Sequence, residues 1–211
     1  MTGTQSSRGR GGPLRNLGRY EGPTPAFRGH PSVLRRALTL TPLLIVFSGL
    51  PGVGKSTLAR EIALRRNAVW LRVDTAEAAM LKAGLVRSDE TGLAAYDIVR
   101  DVAAVQLGLG RNVIVDAVNG VEEAREMWRS LAKECGATSF VVEVICSNRE
   151  EHRRRVKSRG APTPPLPAPT WEQVRTREYL PWTEPILTVD SVASTDKIIT
   201  RILSYISGET K

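Results

Sequence analysis

From residue 41 onward, the apolar positions of this chain fall into two alternating patterns. Short continuous runs, the first at 43–47, predict strands buried on both faces. Longer segments with apolar residues three and four apart predict helices. The first helix is expected over 55–66, with Leu58, Ala59, Ile62 and Ala63 as its apolar stripe and Arg60, Glu61 and Arg65 opposite. A second strand is expected at 68–73, ending at Asp74. Two helices follow, near 75–84 and 90–108, the latter with a stripe of Leu93, Ile98, Val102 and Val105.

A third strand at 112–115 ends at Asp116, after which Asn119 is placed to cap a helix with Glu122 at its third position. Ala124, Met127, Trp128, Leu131 and Cys135 keep that helix's spacing, and Gly136 supplies its stop. A fourth strand at 140–145, a strongly basic helix at 149–159, a proline-rich loop at 161–169, a fifth strand at 186–189 and a closing helix at 196–206 complete the pattern. Repeated strand–helix alternation calls for an α/β fold, a parallel sheet covered on both faces.

Composition changes this picture at one end only. The chain has 211 residues and a formal charge of +8, of which +6 falls in residues 1–40, leaving the remainder nearly balanced. That tail is rich in Gly, Pro and Ser, so residues 1–38 are expected to be disordered and 39–211 to form one domain. An arm for nucleic acid or an anionic surface, a transit peptide and a plain unstructured extension all stay open for the tail. The bland extension is preferred. No run of 18 apolar residues exists, so no membrane span is expected. Cys135 and Cys146 lack metal-ligand spacing, and a reducing, cytoplasmic setting is expected.

The chemistry is concentrated after the first strand. Gly49-Leu50-Pro51-Gly52-Val53-Gly54-Lys55-Ser56 matches G-x-x-x-x-G-K-[ST] at every fixed position, with Thr57 following. Glycines let successive backbone N–H groups turn inward on phosphate oxygens, and the helix beginning near Lys55 presents its positive end to them. Lys55 reaches the β- and γ-phosphates and Ser56 ligates magnesium, so ATP and Mg²⁺ are the expected cofactors.

Other classes built on this cradle fit poorly. No N-K-x-D guanine motif exists, and the third strand leads into Asp116-Ala117-Val118-Asn119 rather than D-x-x-G. Ala117 stands where an AAA+ motor would place a water-activating Glu, and the serine-glycine signature of transporter ATPases is absent. A small kinase remains.

Four segments then combine: GLPGVGKSTLA, RVD at 72–74, VIVDAVN at 113–119 and HRRRVKSR at 152–159. Together they resemble a group of small P-loop kinases that includes polynucleotide 5′-hydroxyl kinases and zeta-toxin-like and chloramphenicol-phosphotransferase-like small-molecule kinases. The likeness runs from about residue 42 to 207. It implies a P-loop NTPase fold with a five-stranded parallel sheet in the order 2-3-1-4-5 and a basic helical lid. It also implies Asp74 as the acceptor-activating carboxylate, Asp116 near magnesium, Asn119 facing the acceptor, and Arg155 and Arg159 as lid arginines.

One departure matters. Glu77 stands where polynucleotide kinases carry an arginine, and a carboxylate there repels a phosphate backbone. The expected acceptor is a small-molecule hydroxyl, with a polynucleotide kinase or a regulatory ATP-binding protein as alternatives. Structural readings compete at several positions. Asp74 and Glu77 could form a capping box, Arg153 to Arg155 a solvated face, and Trp171, Tyr179 and Trp182 ordinary packing.

Overall fold

The computed structural model describes residues 41–158, 160 and 165–208. Five strands, β1 (Leu43–Ser48), β2 (Val69–Arg72), β3 (Val113–Asp116), β4 (Thr138–Ile145) and β5 (Leu187–Asp190), form one sheet. Its order is β2-β3-β1-β4-β5, and every pairing is parallel. The expected strand order therefore stands. Parallel neighbours need crossovers, and the helices supply them: α1 (Lys55–Arg66), α2 (Val73–Lys82), α3 (Asp89–Gly108), α4 (Glu122–Glu134), α5 (Arg149–Ser158), α6 (Trp171–Arg175) and α7 (Thr195–Ile206).

β1 lies at the centre, so both of its faces are buried, and its alternating side chains feed two cores. Ile45 and Phe47 join Leu58 and Ile62 of α1 and Ile198, Ile199, Ile202 and Ile206 of α7. Leu44 and Val46 join Ala95, Val99, Ala103 and Leu107 of α3 and Trp128 and Leu131 of α4. The stripe expected on α1 is the one observed. Burying each such isoleucine contributes about 1.5–3 kcal/mol, which makes α7 the main cover of that face. Among the described residues, no helix is long and apolar enough to cross a membrane.

Three local expectations are corrected. β2 stops at Arg72, and Val73 and Asp74 already belong to the first turn of α2. Asp74 is thus not a helix cap, and Glu77 accepts from Arg87 Nε at 3.0 Å, so no capping box forms there. On α3 the buried face is Ala95, Val99, Ala103 and Leu107, whereas Leu93, Ile98, Val102 and Val105 are 42–61% exposed. Alanine holds two of the four inward positions, where a small side chain lets α3 lie close against the sheet and its neighbouring helices.

The third correction concerns Asn119, which does not cap α4; that position is Val121. Asn119 sits fully buried at φ 51°, its amide donating to the Phe47 carbonyl at 3.2 Å and accepting from Trp128 Nε1 at 2.9 Å. Its backbone carbonyl accepts from Arg125, whose buried guanidinium also donates to the Leu180 and Pro181 carbonyls and lies 4.0 Å from the Trp182 ring centroid. This bundle fastens the 178–182 segment to the β3–α4 turn. Trp182 and Tyr179 are accordingly packing residues.

The α3 assignment yields a stability contrast. Ala103→Leu should cost about 1–3 kcal/mol by overpacking, while Val105→Ser should stay within about 0.5 kcal/mol. Urea denaturation of the two variants measures both, and the reverse order would contradict Ala103 as an inward residue and Val105 as an outward one.

Candidate active site

The phosphate cradle is built by backbone approaching backbone. Gly49 has φ 137°, and a Cβ there would lie 2.3 Å from the Val144 carbonyl oxygen of β4. No side chain fits. Gly52, at φ 85°, faces α5, where a Cβ would lie 2.6 Å from Val156 Cγ2. Gly54, at φ 103°, caps α1 through its backbone alone. No acidic residue occupies the first turn of α1, so its positive end is left for a ligand's charge. Val53 is buried behind the loop, while Leu50, Pro51, Ser56 and Thr57 keep exposed surface. Lys55 Nζ donates to the Leu50 carbonyl at 3.0 Å, which holds the ammonium across the loop's own mouth.

α5 is docked on this loop. The nearly buried His152 brings Nε2 to 2.8 Å from the Pro51 carbonyl. A carbonyl only accepts, so Nε2 carries the hydrogen. The other side of the contact is Trp171 of α6, edge-on to the imidazole at 5.2 Å between ring centroids. Neither His152 nor α6 was singled out in the sequence, since a lone histidine inside a basic run carries no periodic signal.

Arg155 leaves α5 in the other direction. Its Nε donates to Glu151 at 2.8 Å, and its terminal nitrogens donate to the hydroxyl and carbonyl of Ser191 at 2.8 and 3.2 Å. Hydrogen bonds from Arg154 and then Arg155 hold the Glu151 carboxyl at about 2, so the anchor is ionised at any neutral pH. Arg155 therefore bridges α5 and the β5–α7 loop. Together with Gly52, Gly54, Lys55, Ser56 and Thr57, it lines a cavity of about 510 Å³. Arg154 lines it too, and among the described residues its 69% exposed side chain is tied to Glu151 alone. Arg159 lies outside the described residues.

A second cavity of about 620 Å³ opens over the carboxyl ends of β2 and β3. Lys55 and Ser56 line both cavities, so the two meet at the phosphate cradle. Asp74 and Asp116 line the second, as do Glu77, Tyr96 and Glu178. Ligands in open α/β sheets bind at this end of the strands.

Arg72 ties the two aspartates together. One of its terminal nitrogens is 3.7 Å from Asp74, and its Nε is 3.4 Å from Asp116. Neither Asp116 Oδ2 nor Arg72 Nε, both buried, has a hydrogen-bond partner. Asp116 lines the same cavity as Ser56, and its carboxylate is suited to ligate a magnesium ion or to accept from one of the ion's waters.

Asn119 does not join this group. Its amide is committed to Phe47 and Trp128, and it is absent from the cavity wall, so the acceptor contact expected of it is closed off. Tyr96 takes a place beside the cavity instead. Its hydroxyl accepts from the Asn119 backbone N–H at 3.2 Å, and burial pushes that hydroxyl's pKa up.

Known proteins carry the same architecture. A protein of Chloroflexus aurantiacus J-10-fl, provisionally described as a kinase, is 26% identical with a TM-score of 0.64, over 82% of this chain and 100% of that one. The Mycobacterium tuberculosis APS kinase CysC, in complex with AMPPNP and APS, is 21% identical with a TM-score of 0.57, over 79% and 98%. Chaetomium thermophilum Kti12, in complex with ADP-AlF3, is 22% identical with a TM-score of 0.58, over 76% and 97%. No curated protein matches the chain. The AAA_33 model, described as an AAA domain, matches residues 44–181, which span the cradle, both aspartates and α5. This chain is a kinase-like P-loop domain and belongs to the AAA_33 family.

Proposed function

We propose that the protein is an ATP- and magnesium-dependent phosphotransferase that moves the γ-phosphate to a hydroxyl of a small molecule in a cytoplasmic setting. The observation that carries this reading is the pair of cavities meeting at Lys55 and Ser56. A donor held on one side and an acceptor on the other would meet in line at the cradle, with Asp74 on the acceptor side. The family and the kinase-class neighbours support the same reaction type. The polynucleotide alternative would depend on the basic tail at 1–38, which lies outside the described residues.

Phosphoryl transfer asks little covalent chemistry of a protein, and positioning with charge neutralisation supplies most of the rate. The backbone N–H groups of Gly52 and Gly54 and the N-terminus of α1 would cradle the β- and γ-phosphates. Lys55 would release the Leu50 carbonyl and turn its three donors onto the transferring group. Ser56 and Asp116 would hold magnesium, which when bound neutralises charge on the phosphate oxygens. Asp74 would take or orient the acceptor's hydroxyl proton. Arg155, with Arg159 beyond it, would bring the lid's positive charge over the donor. Docking of α5 through His152 would exclude water and so suppress hydrolysis.

Two variants separate binding from chemistry. Lys55→Ala should weaken AMPPNP binding by about 10–100-fold in calorimetry, the worth of one lost charge-assisted contact set, and abolish transfer. Wild-type transfer in that variant would remove the class assignment.

Asp74→Asn should leave nucleotide affinity unchanged and lower the rate of transfer to a metabolite extract by about 10²–10⁴. A residue that merely favours the α2 N-terminus would instead leave the rate near normal and cost about 0.3–1 kcal/mol in stability. Rate and melting measured on the same variant decide between them.

A further inference from the structure

The second cavity carries a charge pattern that limits what its acceptor can be. Its wall holds six carboxylates, Asp74, Glu77, Asp89, Asp116, Glu123 and Glu178, against three cations, Lys55, Arg87 and Arg177. Lys55 belongs to the phosphate side, and Arg87 is held by Glu77 at 3.0 Å. Asp74 and Asp116 share Arg72 from behind. Among the described residues, Asp89, Glu123 and Glu178 have no ion-pair partner within 4.0 Å, and Arg177 is the one cation of the wall not otherwise engaged. The wall therefore carries a net negative formal charge.

Two further observations mark this as a built site rather than a patch of surface acids. Asp116, a wall residue only 5% exposed, has no hydrogen-bond partner for its Oδ2, which lies 3.4 Å from Arg72 Nε. The wall that carries Glu178 is also held rigid. Leu180 N–H donates to the Gly120 carbonyl at 2.8 Å, and any side chain at Gly120 would strike the Glu178 carbonyl at 2.6 Å. Arg125 clamps the next two carbonyls. Between the charged groups the lining is apolar, with Tyr96, Met127, Leu93 and Leu166. That combination suits a compact ring or short carbon frame flanked by positive charge.

We propose that the acceptor is a cationic polyol, a compound bearing one or more ammonium groups beside the hydroxyl that is phosphorylated, of the amino-sugar or aminocyclitol class. The inference rests on the phosphotransferase reading and names the substrate class for the same cavity. The ammonium groups lie toward Glu123, Glu178 and Asp89, the hydroxyl toward Asp74, and the frame packs on Tyr96 and Met127. Anionic acceptors, nucleic-acid ends and sugar phosphates among them, meet carboxylates on most of the wall and are rejected by like-charge repulsion.

Three cyclitols of similar size and different charge test this. The full-length protein, loaded with AMPPNP and magnesium, is titrated calorimetrically with 2-deoxystreptamine, myo-inositol and myo-inositol 1-phosphate. The diamine should bind at least about tenfold more tightly than inositol, with the phosphate ester weakest. In the paired variant Glu123→Gln with Glu178→Gln, that advantage should vanish while the AMPPNP affinity shifts less than about twofold. A diamine that binds no better than inositol, a phosphate ester that binds as well as the diamine, or a diamine indifferent to the variant would each overturn the proposal. The AMPPNP titration, run first, reports separately on the kinase reading, because its failure removes that reading whatever the cyclitols do.

Discussion

A side chain at Gly49 would put its Cβ 2.3 Å from the Val144 carbonyl, and the rest of the site depends on the backbone contact this glycine permits. β1 can run hard against β4 only because nothing projects at that point, and the chain then turns back over the strand ends. Gly52 repeats the device against Val156, which brings α5 close enough for His152 to reach the Pro51 carbonyl. The cradle is thus shaped from outside by β4 and α5 as much as by its own sequence. Both cavities inherit their position from it, since Lys55 and Ser56 stand at their junction.

Most of the architecture was legible in the sequence because it follows from local rules. The continuous apolar run at 43–47 marked a strand that is buried on both faces, and the glycine-lysine-serine pattern marked the loop after β1. The errors share a physical cause. On α3 the large apolar residues suggested the inward stripe, but Ala95, Ala103 and their neighbours were needed inside, where close packing favours small side chains. Asn119 looked like a cap because capping is a local property of its residue type. Its true role depends on Phe47 and Trp128, partners distant in sequence or across a turn, which no local pattern reports.

The site was legible in the same uneven way. Lys55, Ser56, Asp74 and Asp116 do come together at the strand ends, as their positions after three neighbouring strands require. Arg72 was noticed only as part of a motif, yet it is the residue that holds both aspartates in one electrostatic unit. The contact of α5 with the loop through His152 and the fastening of the 178–182 segment through Arg125 are tertiary facts. They explain why one wall of the second cavity can present fixed charges: its backbone carbonyls are already committed to a buried guanidinium.

The proposed reaction sends a phosphoryl group to a small hydroxyl compound and not to water or nucleic acid. The direct measurement is incubation of the protein with ATP labelled at the γ-phosphate, magnesium, and a cell extract separated into metabolite and nucleic-acid fractions, with the labelled product identified by mass. Label is expected in a low-molecular-weight phosphate monoester from the metabolite fraction, with little free phosphate. Label confined to nucleic acid, or released only as inorganic phosphate, would contradict a small-molecule kinase.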